Sequence, residues 1–327
     1  MPLGFIAVTY TGGNQLPYSL DGHTWQVPSS PISAGSYGVA YSPSLGVAVA
    51  PVYGAGSVNY TTDGLTWTSK TCPSSQWLQV CWSPEKALFV AVGESSPYVM
   101  TSPDGVTWTS RTAPGYAWHA ICWSPQQSLF VAVANVTNVV MTSPDGVNWT
   151  LRTSALPNSG TWRGICWSPS LGIFVATQGA PTGSGTPDNA VIATSSTGTS
   201  FSTVATDCQG HLCTWSESVG MFVVPNSSAR GSAFWTSSDG STWTGRSSPS
   251  TRPLSVAYDE DAKVYVAVGQ SGGQPVYSSD GKSWSLASGM DATRQWRHVI
   301  GCNIIPPVRR RSRTSVGILV ARARSSS

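Results

Sequence analysis

Three observations predict an all-β chain folded as a single seven-bladed β-propeller of four-stranded blades. A Ser/Thr-x-Asp-Gly-x-x-Trp motif recurs about every 41 residues. Two short apolar strand patterns share that period. The composition, 33 Gly, 23 Pro and 15 Trp in 327 residues with only 10% charged residues, suits strands and tight turns and has too few Ala, Glu, Lys and Leu for a helical bundle.

The motif reads SLDGHTW (19–25), TTDGLTW (61–67), SPDGVTW (102–108), SPDGVNW (143–149), SSDGSTW (237–243) and SSDGKSW (278–284). A decayed copy, SSTGTSF (195–201), keeps the Gly and an aromatic residue but has no Asp. Successive copies are 42, 41, 41, 52, 42 and 41 residues apart. Ahead of each motif lies strand A, which ends in AYSP (40–43), CWSP (81–84, 122–125 and 166–169), TWSE (214–217) or AYDE (257–260). Strand B follows as an apolar run: GVAVA (46–50), LFVAV (88–92 and 129–133), IFVAT (173–177), MFVVP (221–225) and VYVAV (264–268). Strand C leads into the Asp-Gly turn, and strand D leaves it. Four short strands in about 40 residues make one propeller blade. The chain begins with a strand B, GFIAV (4–8), whose strand A is WRHVIG (296–301) at the far end. The two termini are therefore expected to close the ring within one blade, which leaves no open sheet edge. The propeller is expected over 1–302 and a basic extension over 303–327.

The turn motif resembles the Asp-box (BNR) repeat of sialidase-like β-propellers, Ser-x-Asp-x-Gly-x-Thr-Trp, with Gly here directly after Asp. The resemblance covers nearly all of 1–302. It implies that Asp21, Asp63, Asp104, Asp145, Asp239 and Asp280 are structural turn residues, on the face away from the usual ligand site. The physics of the motif agrees with that role: Gly takes the positive φ of a tight turn, the carboxylate accepts turn amides, and Trp covers the turn. The near-identical repeats and the Ser/Thr/Gly-rich surface also resemble propellers of bacteriophage virion proteins. Fold alone does not decide function.

The B–C loops, among them 177–189, share a face with the D–A loops and are the default binding surface. Strand A opens on that face. Five residues before the aromatic of its WSP-type ending, four blades carry Trp77, Trp118, Trp162 and Trp296. The next residue, blade by blade, is Tyr37, Leu78, His119, Arg163, His211, Leu254 or Arg297. A partial ring of Trp with His119, Arg163, His211 and Arg297 would suit stacking on a sugar and recognition of its hydroxyl or carboxylate groups.

Catalytic signatures are sparse. The Arg-Ile-Pro motif of sialidases is absent. Lys70, Arg111, Arg152 and Arg246 repeat at one strand D position and do not converge. Glu94 and Asp188 in B–C loops, with Asp207 and Asp291 near D–A loops, form no compelling carboxylate pair. No hydrolase, metalloprotease or nucleotide fingerprint has supporting context. The expectation is no catalytic residue, no metal and no cofactor.

Residues 1–302 hold 12 Lys+Arg against 15 Asp+Glu, so the body carries about −3 and nucleic-acid binding by it is not expected. The tail carries Arg309, Arg310, Arg311, Arg313, Arg322 and Arg324 and no acid, and is expected to dock to a partner. No apolar run reaches the ~18 residues of a membrane span, and MPLGFIAVTY lacks the features of an export signal. Cys81, Cys122 and Cys166 repeat at one position as small apolar residues, and a Cys208–Cys213 bridge is left open. Taken together, the expectation is a non-enzymatic, virion-associated fibre, decoration or host-adhesion module. It would be made in the host cytoplasm, recognise a cell-surface glycan on the B–C/D–A face, and bind other virion or assembly proteins through the Arg309–Arg324 tail. A sialidase-like glycoside hydrolase and a protein-assembly scaffold, with a cytoplasmic location, stay open as alternatives.

Overall fold

Each unit is built on one repeated packing problem: an apolar strand B that must be covered on both faces. The computed structural model describes residues 3–10, 16–28, 35–135, 137–179, 190–226, 232–250, 252–269, 274–291 and 293–304. Among them there is no helix, and the strands form six antiparallel sheets. A representative four-stranded sheet runs Trp118–Ser124, Leu129–Ala134, Val140–Ser143 and Thr150–Arg152 in chain order. In it, Phe130, Val131, Ala132 and Val133 are all fully buried. Continuous rather than alternating burial is what a strand shows when both its faces are covered. The covering comes from neighbouring units: Val131, Val133 and Val140 share one cluster with Trp162, Phe174 and Ala193 of the next repeat.

Five of the six sheets have four strands. The sixth has seven, Ala40–Ser42 through Thr109–Arg111, where the sequence predicts two separate blades. The reason is the strand Thr68–Ser83. Its first part pairs with Tyr53–Thr61 and its second part, from Trp77 on, with Leu88–Gly93. The connecting segment TCPSSQ stays extended, so strand D of one unit runs into strand A of the next without a break. At the termini, Trp296–Ile304 pairs antiparallel with Leu3–Thr9, with Ile6 opposite Ile300. Phe5 and Val299 pack with Val264 and Val266 on one side. On the other side, Ile6, Val8 and Cys302 pack with Val39, Ala48 and Ala50.

The Asp-Gly turns are self-contained. In one, Ser102 Oγ donates to Asp104 Oδ1 (2.9 Å) and accepts from the Gly105 amide (2.8 Å). Asp104 Oδ1 accepts from the Val106 and Thr107 amides at 2.8 and 2.7 Å. Trp108 then donates its indole N–H to Gly105 O at 3.1 Å and is buried. Gly105 has φ of +77°, a conformation glycine adopts without steric cost. The other boxes with Asp repeat the carboxylate–amide pattern, and all but one repeat the indole bond, Trp67 Nε1 being buried without a partner. None of the seven cysteines is in a disulfide, Cys208 and Cys213 included.

A second contact links consecutive units beside these turns. Trp123 Nε1 donates to Glu85 Oε2 of the preceding unit at 2.6 Å, and Trp167 Nε1 donates to Gln126 Oε1 at 2.7 Å. Tyr258 Oη lies 3.0 Å from Ser218 Oγ in the same relation. The donors stand at the aromatic position of WSP, and the acceptors stand three residues past that aromatic in the unit before. Trp82 breaks the pattern. Its counterpart is Ser44, too short to reach, and Trp82 Nε1 is buried without a partner.

Two predictions follow from these contacts. Ser44→Glu supplies the missing acceptor, and should raise stability by about 1 kcal/mol, the net worth of a typical hydrogen bond. Thermal denaturation checks this, and an unchanged or lower melting temperature contradicts it. The second concerns acid. Burial alone would raise the pKa of Asp145, but the Asn148 amide and side chain, the Val147 amide and Ser143 outweigh it and hold the carboxyl at about 2. Asp21, Asp63, Asp104, Asp239 and Asp280 are lowered too. A depressed native pKa stabilises above the unfolded value of about 4 and is lost as pH falls through the native one. The melting temperature should therefore drop steeply between about pH 4 and about pH 2, less so in Asp145→Asn; a flat profile contradicts the linkage.

Candidate functional site

One irregularity of strand A, absent from the sequence pattern, builds the site. Trp118 pairs with Ala134 and Ala120 with Val133, so two steps along strand A match one step along strand B. The residue between, His119, is the extra residue of a β-bulge. The same shift isolates Leu78, Arg163, Leu254 and, in the sheet of the two termini, Arg297. A bulge re-aims the side chain that it adds. These five residues, with Tyr37 and His211 from the equivalent positions of the remaining units, line one partly open cavity whose empty space, adjoining solvent included, is about 420 Å³, together with Gln79 and Leu212.

The bulge also separates each of these residues from the Trp before it. Trp77, Trp118, Trp162 and Trp296 are fully buried. Their indole N–H groups donate to Pro73 O (2.9 Å), Pro114 O (2.8 Å), Asn158 O (3.2 Å) and Asp291 O (3.1 Å). They pin the segment ahead of strand A onto the core. A ring with no exposed face has nothing to stack on a ligand, which corrects the expectation that Trp77, Trp118, Trp162 and Trp296 line a sugar site. Of the sequence-derived candidates, the structure brings together His119, Arg163, His211 and Arg297.

The charges there are unbalanced. Arg163 Nη1 lies 2.9 Å from His119 Nε2. A guanidinium only donates, so His119 Nε2 accepts and its proton sits on Nδ1, which is buried without a partner. Burial, then the Arg163 charge, pushes the His119 pKa well below the ordinary imidazole value. Burial, then Arg163, lowers that of His211 to about 3. Both imidazoles are thus neutral at neutral pH. Arg163 and Arg297 each keep a buried Nε without a partner. Arg297 Nη2 donates to Gln295 Oε1 at 2.9 Å, and its guanidinium lies 4.9 Å from the ring centre of Tyr37. Among the described residues, neither arginine is in a salt bridge. Burial lowers the Arg163 pKa, and Glu94 is the carboxylate that partly offsets this.

Glu94 extends the site sideways. Tyr53 Oη donates to Glu94 Oε2 at 3.5 Å, and Tyr53 packs against Tyr37 with ring centres 4.8 Å apart. The sequence pointed to Glu94 only as an isolated loop carboxylate, and Tyr53 carried no repeat signal. Asp291 is exposed and engages Thr293 and Arg294. Asp188, most of the loop 177–189 and the tail from 305 on lie outside the described residues. The described residues contain no cluster of three or more His, Cys, Asp or Glu able to hold a metal ion.

No protein-family model and no curated protein matches the chain. Solved structures do. A putative 6-phosphogluconolactonase from Bacteroides uniformis is similar with TM-score 0.67 and 11% identity, over 92% of this chain and 99% of that one. The periplasmic gluconolactonase of Pseudomonas aeruginosa gives 0.64 and 11%, over 93% and 100%. Virginiamycin B lyase from Staphylococcus aureus gives 0.64 and 10%, over 79% and 86%. At such identities the likeness establishes the fold and transfers no substrate. It does overturn the expectation that this is not an enzyme, because proteins named as lactonases and a lyase are built on this architecture. The chain is an all-β protein with a β-propeller-like fold.

Proposed function

We propose that the protein recognises a small anionic group, a carboxylate or phosphate on a carbohydrate, in the cavity where Arg163 and Arg297 meet His119 and His211. The observation that carries this reading is the pair of half-buried guanidiniums, each with an unpartnered Nε and neither in a salt bridge. Buried charge left unpaired is costly, and an anion entering between the two relieves that cost with charge-assisted hydrogen bonds. Seven units give one equivalent residue each to this cavity, and the terminal strands pair with one another. Both facts support a seven-bladed ring closed in one blade, with Thr68–Ser83 shared by two blades. The Asp-box and phage-propeller resemblance supplies a setting: a particle-borne module that meets an acidic cell-surface glycan, docked to its partners through Arg309–Arg324.

A second reading rests on Tyr53 and Glu94. A phenol donating to a carboxylate beside two arginines pairs a nucleophile with its base, which favours hydrolysis of a bound acidic glycoside or lactone.

Calorimetry with glucuronate and with inorganic phosphate tests the first reading. Charge-assisted hydrogen bonds are worth about 1.5–3 kcal/mol, so Arg163→Gln or Arg297→Gln should weaken binding roughly 10- to 100-fold. No binding of either probe by the unaltered protein refutes it. Turnover of aryl glucuronides and aldonolactones tests the second. Activity should fall at least about 100-fold in Glu94→Gln while glucuronate binding persists; activity indifferent to Glu94 removes the pair from the chemistry.

A further inference from the structure

Beside the anion cavity stands a tyrosine cluster to which the anion-binding reading assigns no ligand. Tyr10, Tyr37 and Tyr53 come from three separate stretches of chain and meet with ring centres 4.7, 5.4 and 4.8 Å apart. Arg297 lies between this cluster and the cavity, 4.9 Å from the centre of Tyr37 and 5.9 Å from that of Tyr10. Tyr37 belongs to both, since it also lines the cavity. Tyr10 is 38% exposed, high for a ring with two aromatic neighbours. Nothing in the repeat requires aromatic residues there: no other unit has a comparable three-tyrosine cluster among the described residues. Glu94 closes the far side through Tyr53 Oη.

We infer that Tyr10, Tyr37 and Tyr53, with Glu94, form a second subsite contiguous with the cavity, which takes a neutral pyranose ring next to the anionic residue. This rests on the anion site proposed above and narrows its ligand to an acidic oligosaccharide. Tyrosine faces offer a broad apolar surface held by only two side-chain torsions, suited to the C–H face of a sugar. The hydroxyls donate or accept, and the Glu94 carboxylate accepts, along the sugar's rim. The carboxylate also sets the charge of the occupant: it repels a second anion, so a neutral sugar is favoured here and the acidic one in the cavity between Arg163 and Arg297. The aromatic contact expected from the tryptophans is thus supplied by tyrosines, Tyr10 and Tyr53 from outside the repeated positions and Tyr37 from within them.

The test compares glucuronate with a hyaluronan disaccharide, which carries the same acid beside a neutral sugar, by calorimetry on the full chain. The disaccharide should bind at least about tenfold more tightly. Tyr10→Ala should abolish that gain and leave glucuronate affinity within about twofold, whereas Tyr10→Phe, which keeps the ring, should retain it. Arg163→Gln should weaken both ligands. Equal affinity for the two sugars, or a gain that survives Tyr10→Ala, overturns the second subsite alone. No binding of either sugar overturns it together with the anion site beneath it. An unchanged melting temperature in Tyr10→Ala separates a lost contact from a lost fold.

Discussion

The stacking of the units depends on one close approach: in six of the seven turns the glycine lies against strand B of the unit before it, and a side chain there would force that strand to give. A Cβ on Gly105 would sit 2.8 Å from Val49 Cγ1 of the preceding unit, and one on Gly146 2.9 Å from both Leu88 Cδ2 and Val90 Cγ2. Gly22, in the unit of the two termini, would meet Val266 Cγ2 at 2.6 Å. The neighbours are mostly β-branched strand residues with a stiff χ1, so they cannot step aside. The decayed copy separates this requirement from the rest of the motif. It has Thr197 in place of Asp, and Thr197 Oγ1 accepts the Thr199 amide at 3.3 Å in a weaker version of the turn. Yet Gly198 is present, with φ of +72° and a Cβ position 2.7 Å from Val131 Cγ2. The carboxylate can be replaced, whereas the glycine sets how closely the sheets stack.

That stacking converts a repeated sequence into a site that is not repeated. Once the turns and the Trp123–Glu85 type of contact hold the outer parts of the units in register, every strand A brings the same position to one cavity. The bulge at that position detaches one residue from the ladder, so its identity costs the sheet little. The scaffold tolerates Leu, His, Arg or Tyr there, and chemistry is free to vary unit by unit. Where the residue beside it is Trp, the ring fills core and its N–H is committed to a backbone carbonyl.

This explains which parts were legible in the sequence. Period, turns and strand order follow from Asp-Gly-x-x-Trp and from FVAV, because those residues do the same job in each unit. The cavity positions were legible as well, since Trp118–His119 and Trp162–Arg163 recur in phase. Which member of each pair faces the cavity was not. Simple alternation leaves that to the unknown register, and the bulge puts the second residue in the cavity and the first in the core. Sheet fusion through Thr68–Ser83 was hidden because TCPSSQ reads as a loop, with a proline inside it. Tyr10, Tyr53 and Glu94 lie in connecting stretches without counterparts in other units, so periodicity carries no information about them. The missing catalytic motifs were no guide either. Motifs register chemistry assembled from one stretch of chain, while here Tyr53 and Glu94 meet from two.

The order of residues around the cavity completes the physical picture. In chain order the units supply Tyr37, Leu78, His119, Arg163, His211, Leu254 and Arg297. In that order the two leucines separate two polar groups. One is His119–Arg163–His211, where the imidazoles are held neutral beside a single cation. The other is Arg297 with Tyr37, where the cation rests on an aromatic face. Had all the polar positions been arginine, mutual repulsion in a half-buried space would have raised the cost of the empty site steeply. Two neutral imidazoles spread donors and acceptors around Arg163 without adding charge, and the tyrosine face stabilises Arg297 without neutralising it. The cavity therefore keeps two cations, each with an unpartnered buried Nε. In the anion-binding reading proposed above, an occupant that reaches both guanidiniums at once gains charge-assisted hydrogen bonds that neither arginine alone would supply.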